Sequence, residues 1–154
     1  MEEEALPFDA ECIKAEKIAL RLIARAEQSV AGLTVKLEKR GIDPSTTRQV
    51  ISDLQSRKLL DDTRYAEHWI YAHLKMSKPL SPLWFLVSLE KRGVNKETSL
   101  AAINKVLDED TEYSLLLKYV DGMDVLIKET VPIRTKLRRE GFSPGAINKF
   151  IDSE

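Results

Sequence analysis

Two histidines, one pair of adjacent aspartates, a single cysteine and a few isolated serines are the residues of this 154-residue chain whose types suit metal binding, acid–base work or nucleophilic attack. Their spacing argues against each. His68 and His73 are five residues apart, which turns about 140° around a helix, so they do not share a face. No cysteine or HExxH partner accompanies them, so they are expected as surface or half-buried histidines with no metal site. Asp61 and Asp62 stand together at a helix start and point in different directions, and Asp62 reads as an N-cap. Ser29 and Ser81, each twelve residues before a glycine, read as N-caps rather than nucleophiles. The six glycines are scattered singly, so no phosphate-cradling loop is present. Cys12 stands alone, which excludes an internal disulfide and fits a reducing compartment. The expectation is a protein that works by binding, with no catalytic residues and no cofactor.

Basic residues are the more informative set. Lys36, Lys39 and Arg40 fall on one helix, Lys91 and Arg92 at the matching end of a second, and Arg134, Lys136, Arg138 and Arg139 along a third. Cations near a helix C-terminus are favoured by the dipole, which accounts for Lys39, Arg40, Lys91 and Arg92. It does not account for Arg134 and Lys136, which come early in their helix. Arg64 also opposes the dipole: either it pairs locally, with Asp61 or Glu67, or it contacts something outside. All ten are taken as candidate partner-binding residues.

The elements that carry these residues repeat. Leu37-Glu38-Lys39-Arg40-Gly41-Ile42 returns as Leu89-Glu90-Lys91-Arg92-Gly93-Val94 and, more weakly, as Leu137-Arg138-Arg139-Glu140-Gly141-Phe142. The first interval, Gly41 to Gly93, is four residues longer than the second, Gly93 to Gly141. Apolar residues recur eight and four positions before each glycine, as on one helical face. Asp43, Asn95 and Ser143 follow each glycine by two and are good N-caps. Pro44 and Pro144 then suit the first helical position. The unit reads helix, glycine C-cap, N-cap, helix, with a further helix before each pair. The aspartates of Asp62-Thr63 and Asp110-Thr111 read as the N-caps of two of these earlier helices, whose apolar series run Tyr65, Trp69, Ile70 and Tyr113, Leu117, Val120. In the first copy Ile18, Leu22 and Ile23 take that part. The four extra residues of the first interval extend the third helix toward Arg57, and Asp121-Gly122-Met123-Asp124 reads as a helix break. No stretch alternates as a strand would. The fold expected is all-α: three tandem three-helix repeats at 13–60, 61–107 and 108–154 after an N-terminal tail at 1–12, stacked as an elongated, curved array.

In this alignment Trp84 corresponds to Gly32 and Pro132, and Leu86 to Thr34 and Arg134. The other copies build their cores without large apolar groups there, so Trp84 and Leu86 are surplus: either buried between copies or exposed as a hydrophobic docking patch.

Bulk properties agree with a binding role. Apolar residues make up 43% and charged residues 32%, the mix of a soluble globular chain. No apolar run is long enough to span a membrane. The acidic start, Met1-Glu2-Glu3-Glu4, is unlike a secretory signal, so a cytoplasmic protein is expected. The net charge is −1, but residues 1–28, 29–60, 61–107, 108–128 and 129–154 carry −3, +3, +2, −4 and +1. Such alternation leaves basic surface on a nearly neutral molecule.

Leu59-Leu60-Asp61-Asp62-Thr63-Arg64-Tyr65-Ala66 resembles the signature of the RecX family, bacterial modulators of the RecA recombinase: two aliphatics, Asp-Asp, any residue, arginine, aromatic, alanine. The run from Ala19 through Arg25 and Ser29 to Gly41 is similar to the family's opening motif, and the likeness covers about residues 15–152. The resemblance implies three tandem three-helix repeats and no catalytic site. It implies binding in the groove of the RecA filament on DNA, inhibition of recombination and ATP hydrolysis, and a place in DNA repair and the SOS response. The partners implied are the RecA filament and, weakly or through it, DNA, with no membrane, no metal and a monomeric protein. The chain departs from the family at Tyr71 and His73, where arginines are common, and at Pro82–Val87, where the family is basic. Direct DNA binding and a repeat scaffold for another protein are the competing readings; the near-neutral charge weighs against the first.

Overall fold

In a computed structural model, residues 8–123 and 132–153 are described, and every regular element among them is an α-helix. In chain order these are α1 (Phe8–Arg25), α2 (Val30–Lys39), α3 (Pro44–Ser56), α4 (Asp62–Leu74), α5 (Pro82–Lys91), α6 (Lys96–Val106), α7 (Glu109–Asp121), α8 (Ile133–Arg139) and α9 (Pro144–Asp152). The first helix begins inside the segment read as a tail. As the spacing suggests, α3 runs to Ser56 with Arg57 as its C-cap, and α7 stops at Gly122; Asp124 lies outside the described residues.

Three turns repeat in detail. Gly41, Gly93 and Gly141 have φ of 84°, 87° and 90°, the left-handed conformation that closes a helix. After the first and third, amides return to the helix end: Ile42 N–H bonds Leu37 O at 3.2 Å, and Phe142 N–H bonds Leu137 O at 3.1 Å. Two residues past each glycine the chain re-enters a helix through a capping side chain. Asp43 accepts from the Ser45 amide at 3.1 Å, Asn95 from Thr98 at 2.7 Å and Ser143 from Ala146 at 3.2 Å. Ser29 and Ser81 cap α2 and α5, accepting from the Gly32 and Trp84 amides at 2.9 and 3.1 Å.

The aspartate caps differ from the sequence reading. Asp61, not Asp62, caps α4, its Oδ1 accepting from the Thr63 and Arg64 amides at 2.9 and 3.3 Å. Asp108, not Asp110, caps α7 through Thr111 N–H at 2.8 Å. A cap must stand two or three residues before its donor, and within an acidic run composition alone does not choose the position. Asp62 instead reaches back to α2, where its Oδ1 accepts the Val30 amide at 2.8 Å. Together with Ser29 it satisfies two of the amides that a helix start leaves unpaired. Asp62→Ala is therefore expected to cost about 0.5–2 kcal/mol, the range of a lost cap, while Asp62→Asn, which keeps an acceptor oxygen, costs less. Urea denaturation measures both; an alanine variant as stable as wild type would leave Asp62 without a structural role.

The chain forms two compact units, Met1–Tyr65 with Arg92–Val94, and Ala66–Lys91 with Asn95–Glu154, so the division falls within α4. In the first unit α1 packs on α2 and α3, and α2 on α3. Its core includes Ala15, Ala19, Leu22, Leu33, Leu37 and Leu54. Ile18 and Ile23, read as the buried series of α1, only flank this core; alanines at 15 and 19 let the helix approach more closely. In the second unit α5 packs on α6, and α9 on α7 and α8, with Ile70, Phe85, Leu89, Leu116 and Leu137 fully buried. Leu115 and Leu116 carry the buried face of α7, whereas Leu117, expected there, is exposed.

Candidate functional site

The first unit brings together basic residues that are far apart in sequence. Lys36 on α2 and Arg92, just past α5, line one cleft of ≈ 390 Å³ with Glu27, Gln28, Ser29 and Tyr65. Lys36 is held from below. Its Nζ donates to Gln28 Oε1 at 2.7 Å, and Gln28, only 6% exposed, donates through Nε2 to the carbonyls of Leu22 and Ala26, both at 3.2 Å. On the Arg92 side, Nη1 donates to the Tyr65 hydroxyl at 3.4 Å.

Arg64 pairs locally, but with neither expected carboxylate side chain. Its Nε binds Glu27 Oε1, and its two terminal nitrogens donate to the carbonyls of Lys58 at 3.0 Å and Leu59 at 3.2 Å. These bonds tie the start of α4 to the α1–α2 junction and the loop after α3. Glu67 lies 3.0 Å from Lys105 instead. Glu27, the one acid that lines the cleft among the described residues, is therefore already paired. Lys39, Arg40 and Lys91 are exposed at the ends of α2 and α5.

The basic cluster of α8 divides by helical geometry. Arg134 and Arg138, four apart, share a face and are exposed with Arg139. Arg134 Nη1 donates to Asn148 Oδ1 on α9 at 2.7 Å. Lys136, two positions on, is turned about 200° away. It is half-buried and bonds Glu140 Oε1 at 3.2 Å. The hydrogen bond to Glu140, then the charge of Tyr119, raise the Lys136 pKa above its ordinary value. Burial, followed by Glu140, raises that of Tyr119. Glu140 in turn accepts from Ser81 Oγ at 2.8 Å, and its carbonyl accepts from the Leu83 amide at 2.9 Å. Lys136 thus belongs to an internal network, while the arginines face outward.

Trp84 is 38% exposed. One face of its ring stacks on Trp69, centroids 5.4 Å apart and planes 17° from parallel, and Trp69 in turn lies 3.8 Å from the His73 ring. Phe85 meets both tryptophans edge-on, an arrangement aromatic quadrupoles favour. Leu83 and Val87 are also exposed, whereas Leu86 is half-buried. Sequence reasoning places Trp69 in an apolar series and misses its stacking with His73, though their i, i+4 spacing predicts contact. It misses Gln28 altogether, since a lone glutamine at a helix end carries no pattern.

Among the described residues no group of three or more histidine, cysteine, aspartate or glutamate side chains could hold a metal, and no helix is long and apolar enough to cross a membrane.

No family model matches the chain. It is 32% identical over 147 residues to the regulatory protein RecX of Treponema pallidum, covering 96% of this chain and 80% of that protein. It is 35% identical over 133 residues to the regulatory protein RecX of Halorhodospira halophila, covering 81% and 78%. A crystal structure of RecX from Lactobacillus salivarius superposes with a TM-score of 0.71 at 18% identity, over 94% of this chain and 97% of that one, which speaks for the fold alone. A second RecX crystal structure gives 0.70 at 15% identity. Identities of 32% and 35% across most of both sequences exceed what shared helical architecture requires, and on that ground the chain belongs to the RecX family.

Proposed function

We propose that this protein is a cytoplasmic, monomeric regulator that binds the RecA filament on DNA and lowers its recombinase and ATPase activity. The main support is kinship, over most of the chain, with proteins called regulatory protein RecX. The cations at the ends of α2, α5 and α8 agree with it: Lys39, Arg40, Lys91, Arg138 and Arg139 are all exposed, as contacts to an acidic, phosphate-bearing groove need to be. The three-copy organisation serves to place them. The protein acts by binding and carries out no reaction. A net charge of −1 keeps its affinity for bare DNA weak. DNA-stimulated ATP hydrolysis by the cognate RecA is the test. Inhibition should appear at protein levels below those that bind bare DNA; tighter binding to bare DNA at physiological salt, with hydrolysis untouched, would replace the regulator with a DNA-binding protein.

Two expected results refine the contacts. Arg134→Ser with Arg138→Ser weakens filament binding and flattens its salt dependence, whereas Lys136→Ser acts mainly on stability, because its ammonium is engaged by Glu140. Equal effects of the two changes on binding would show that facing does not matter. Trp84→Ser removes one stacked, partly exposed ring and costs about 0.5–1.5 kcal/mol of stability for the aromatic pair. It weakens filament binding by about 2 kcal/mol or more, as an interface anchor would. A stability loss of ~3–5 kcal/mol, that of a buried aromatic, would return Trp84 to the core.

A further inference from the structure

We infer that Gln28 is a positioning residue for the filament contact: it orders the ammonium of Lys36 in advance for a carboxylate of RecA. The partner in this inference rests on the proposed function; the device rests on the geometry of the first unit alone.

Gln28 lies between α1 and α2 and is only 6% exposed. Its Nε2 donates to the carbonyls of Leu22 and Ala26, both at 3.2 Å. Both N–H groups of the amide are thereby used. The amide cannot turn over without setting its oxygen against two carbonyls, so the place of Oε1 is fixed. Oε1 accepts from Lys36 Nζ at 2.7 Å. An ammonium has three N–H groups, and Gln28 takes one.

The holder is neutral, and that sets Lys36 apart. Arg64 and Lys136 are held by carboxylates, Glu27 and Glu140, which cancel the charge they fix. Gln28 fixes a charge and leaves it whole, on a side chain that is exposed. Lys39 and Arg40, three and four residues further along the same face of α2, are exposed as well, but among the described residues no side chain holds them. An interface lysine otherwise loses its rotamer freedom on binding, and ordering it beforehand is worth about two- to tenfold in affinity. A single ammonium held at one point gains most from a partner oxygen that is itself fixed, as a protein carboxylate is. A phosphate backbone attracts through its summed charge and lets a bound protein slide, so it gains little from one ordered cation.

Two measurements on the full chain test the role. The first needs no RecA. NMR relaxation of the lysine ε-methylene groups should show Lys36 ordered well beyond Lys39, and Gln28→Met should release it to the level of Lys39; equal mobility of the two lysines in the unaltered chain overturns the inference. The second is a double-mutant cycle, read as the concentration that half-inhibits DNA-stimulated ATP hydrolysis by the cognate RecA. Gln28→Met should raise that concentration about two- to tenfold when Lys36 is present and leave it unchanged in the Lys36→Met background. An equal rise in both backgrounds would make Gln28 structural only. If Gln28→Met does not fold, Gln28→Lys takes its place: its ammonium can serve the same two carbonyls but offers Lys36 no acceptor, so inhibition should weaken in spite of the added charge, and unchanged inhibition overturns the role. The same coupling on a bare single-stranded oligonucleotide, measured by anisotropy, would overturn the carboxylate. No inhibition by the unaltered chain removes the regulator reading itself, whereas inhibition by Lys36→Met as potent as that of the unaltered chain removes this role alone.

Discussion

Gly93→Ala is expected to destabilise the protein by about 2–5 kcal/mol, whereas Gly41→Ala, at the matching turn, should cost only about 1–2 kcal/mol. Both glycines hold left-handed φ, 87° and 84°, and a Cβ in that conformation costs roughly 1–2 kcal/mol. The difference is what the Cβ would meet. At Gly41 nothing lies within 4 Å, while at Gly93 a Cβ would fall 2.4 Å from the Ala31 Cβ. Ala31 sits on the first turn of α2, a helix start pinned by Ser29 and Asp62, so it has no flexible side chain with which to yield. Forcing a methyl group into such a contact adds about 1–3 kcal/mol. Gly141→Ala falls between the two, since a Cβ there would stand 3.2 Å from the Leu83 amide and the Pro82 Cβ. Urea denaturation of the three variants ranks them; equal losses at 41 and 93 would mean that the close approach contributes nothing.

Phe85→Ala should cost about 3–5 kcal/mol, the range for truncating a buried aromatic. Phe85 has no exposed surface, and its ring stands edge-on to both Trp69 and Trp84, at 6.0 and 5.4 Å. Its loss therefore leaves a cavity in the core of the second unit and removes the support of the tryptophan stack. Thermal melting should drop by roughly 2–4 °C per kcal/mol for a chain of this size. Tryptophan fluorescence, dominated by Trp69 and Trp84, should change in the folded state as well. Phe85→Leu, which keeps most of the volume, should recover most of the stability. A melting loss no larger than that of Trp84→Ser would contradict the burial of one ring and the exposure of the other.

The helices and turns are legible because their signals are local. Glycine at the left-handed position, an N-cap two residues on and a proline at the first helical position each act within a few residues, and all three copies carry most of them. The α1 and α7 stripes mislead where several neighbouring residues are apolar. Ile18 and Ala19, or Leu116 and Leu117, compete for one face, and the facing helix selects which is buried. The candidate cations are all visible in the sequence, yet their roles are not, because a guanidinium or ammonium reads the same there whether it faces solvent or a carboxylate.

An all-α chain, its recurring helix–glycine–helix turn and, through the run from Leu59 to Ala66, its kinship all follow from residue order alone. Each rests on near neighbours along the chain or on residue identity. Folding in three dimensions is what sets Asp62 to cap α2 rather than its own helix, engages Arg64 and Lys136 internally, and brings Lys36 and Arg92 to one cleft. Those outcomes depend on partners distant along the chain, Val30 with Asp62, Glu27 with Arg64, and Lys36 with Arg92, and on which side of one short helix a residue falls. Charges and hydrogen-bonding groups choose partners by distance in space, which a linear pattern does not encode.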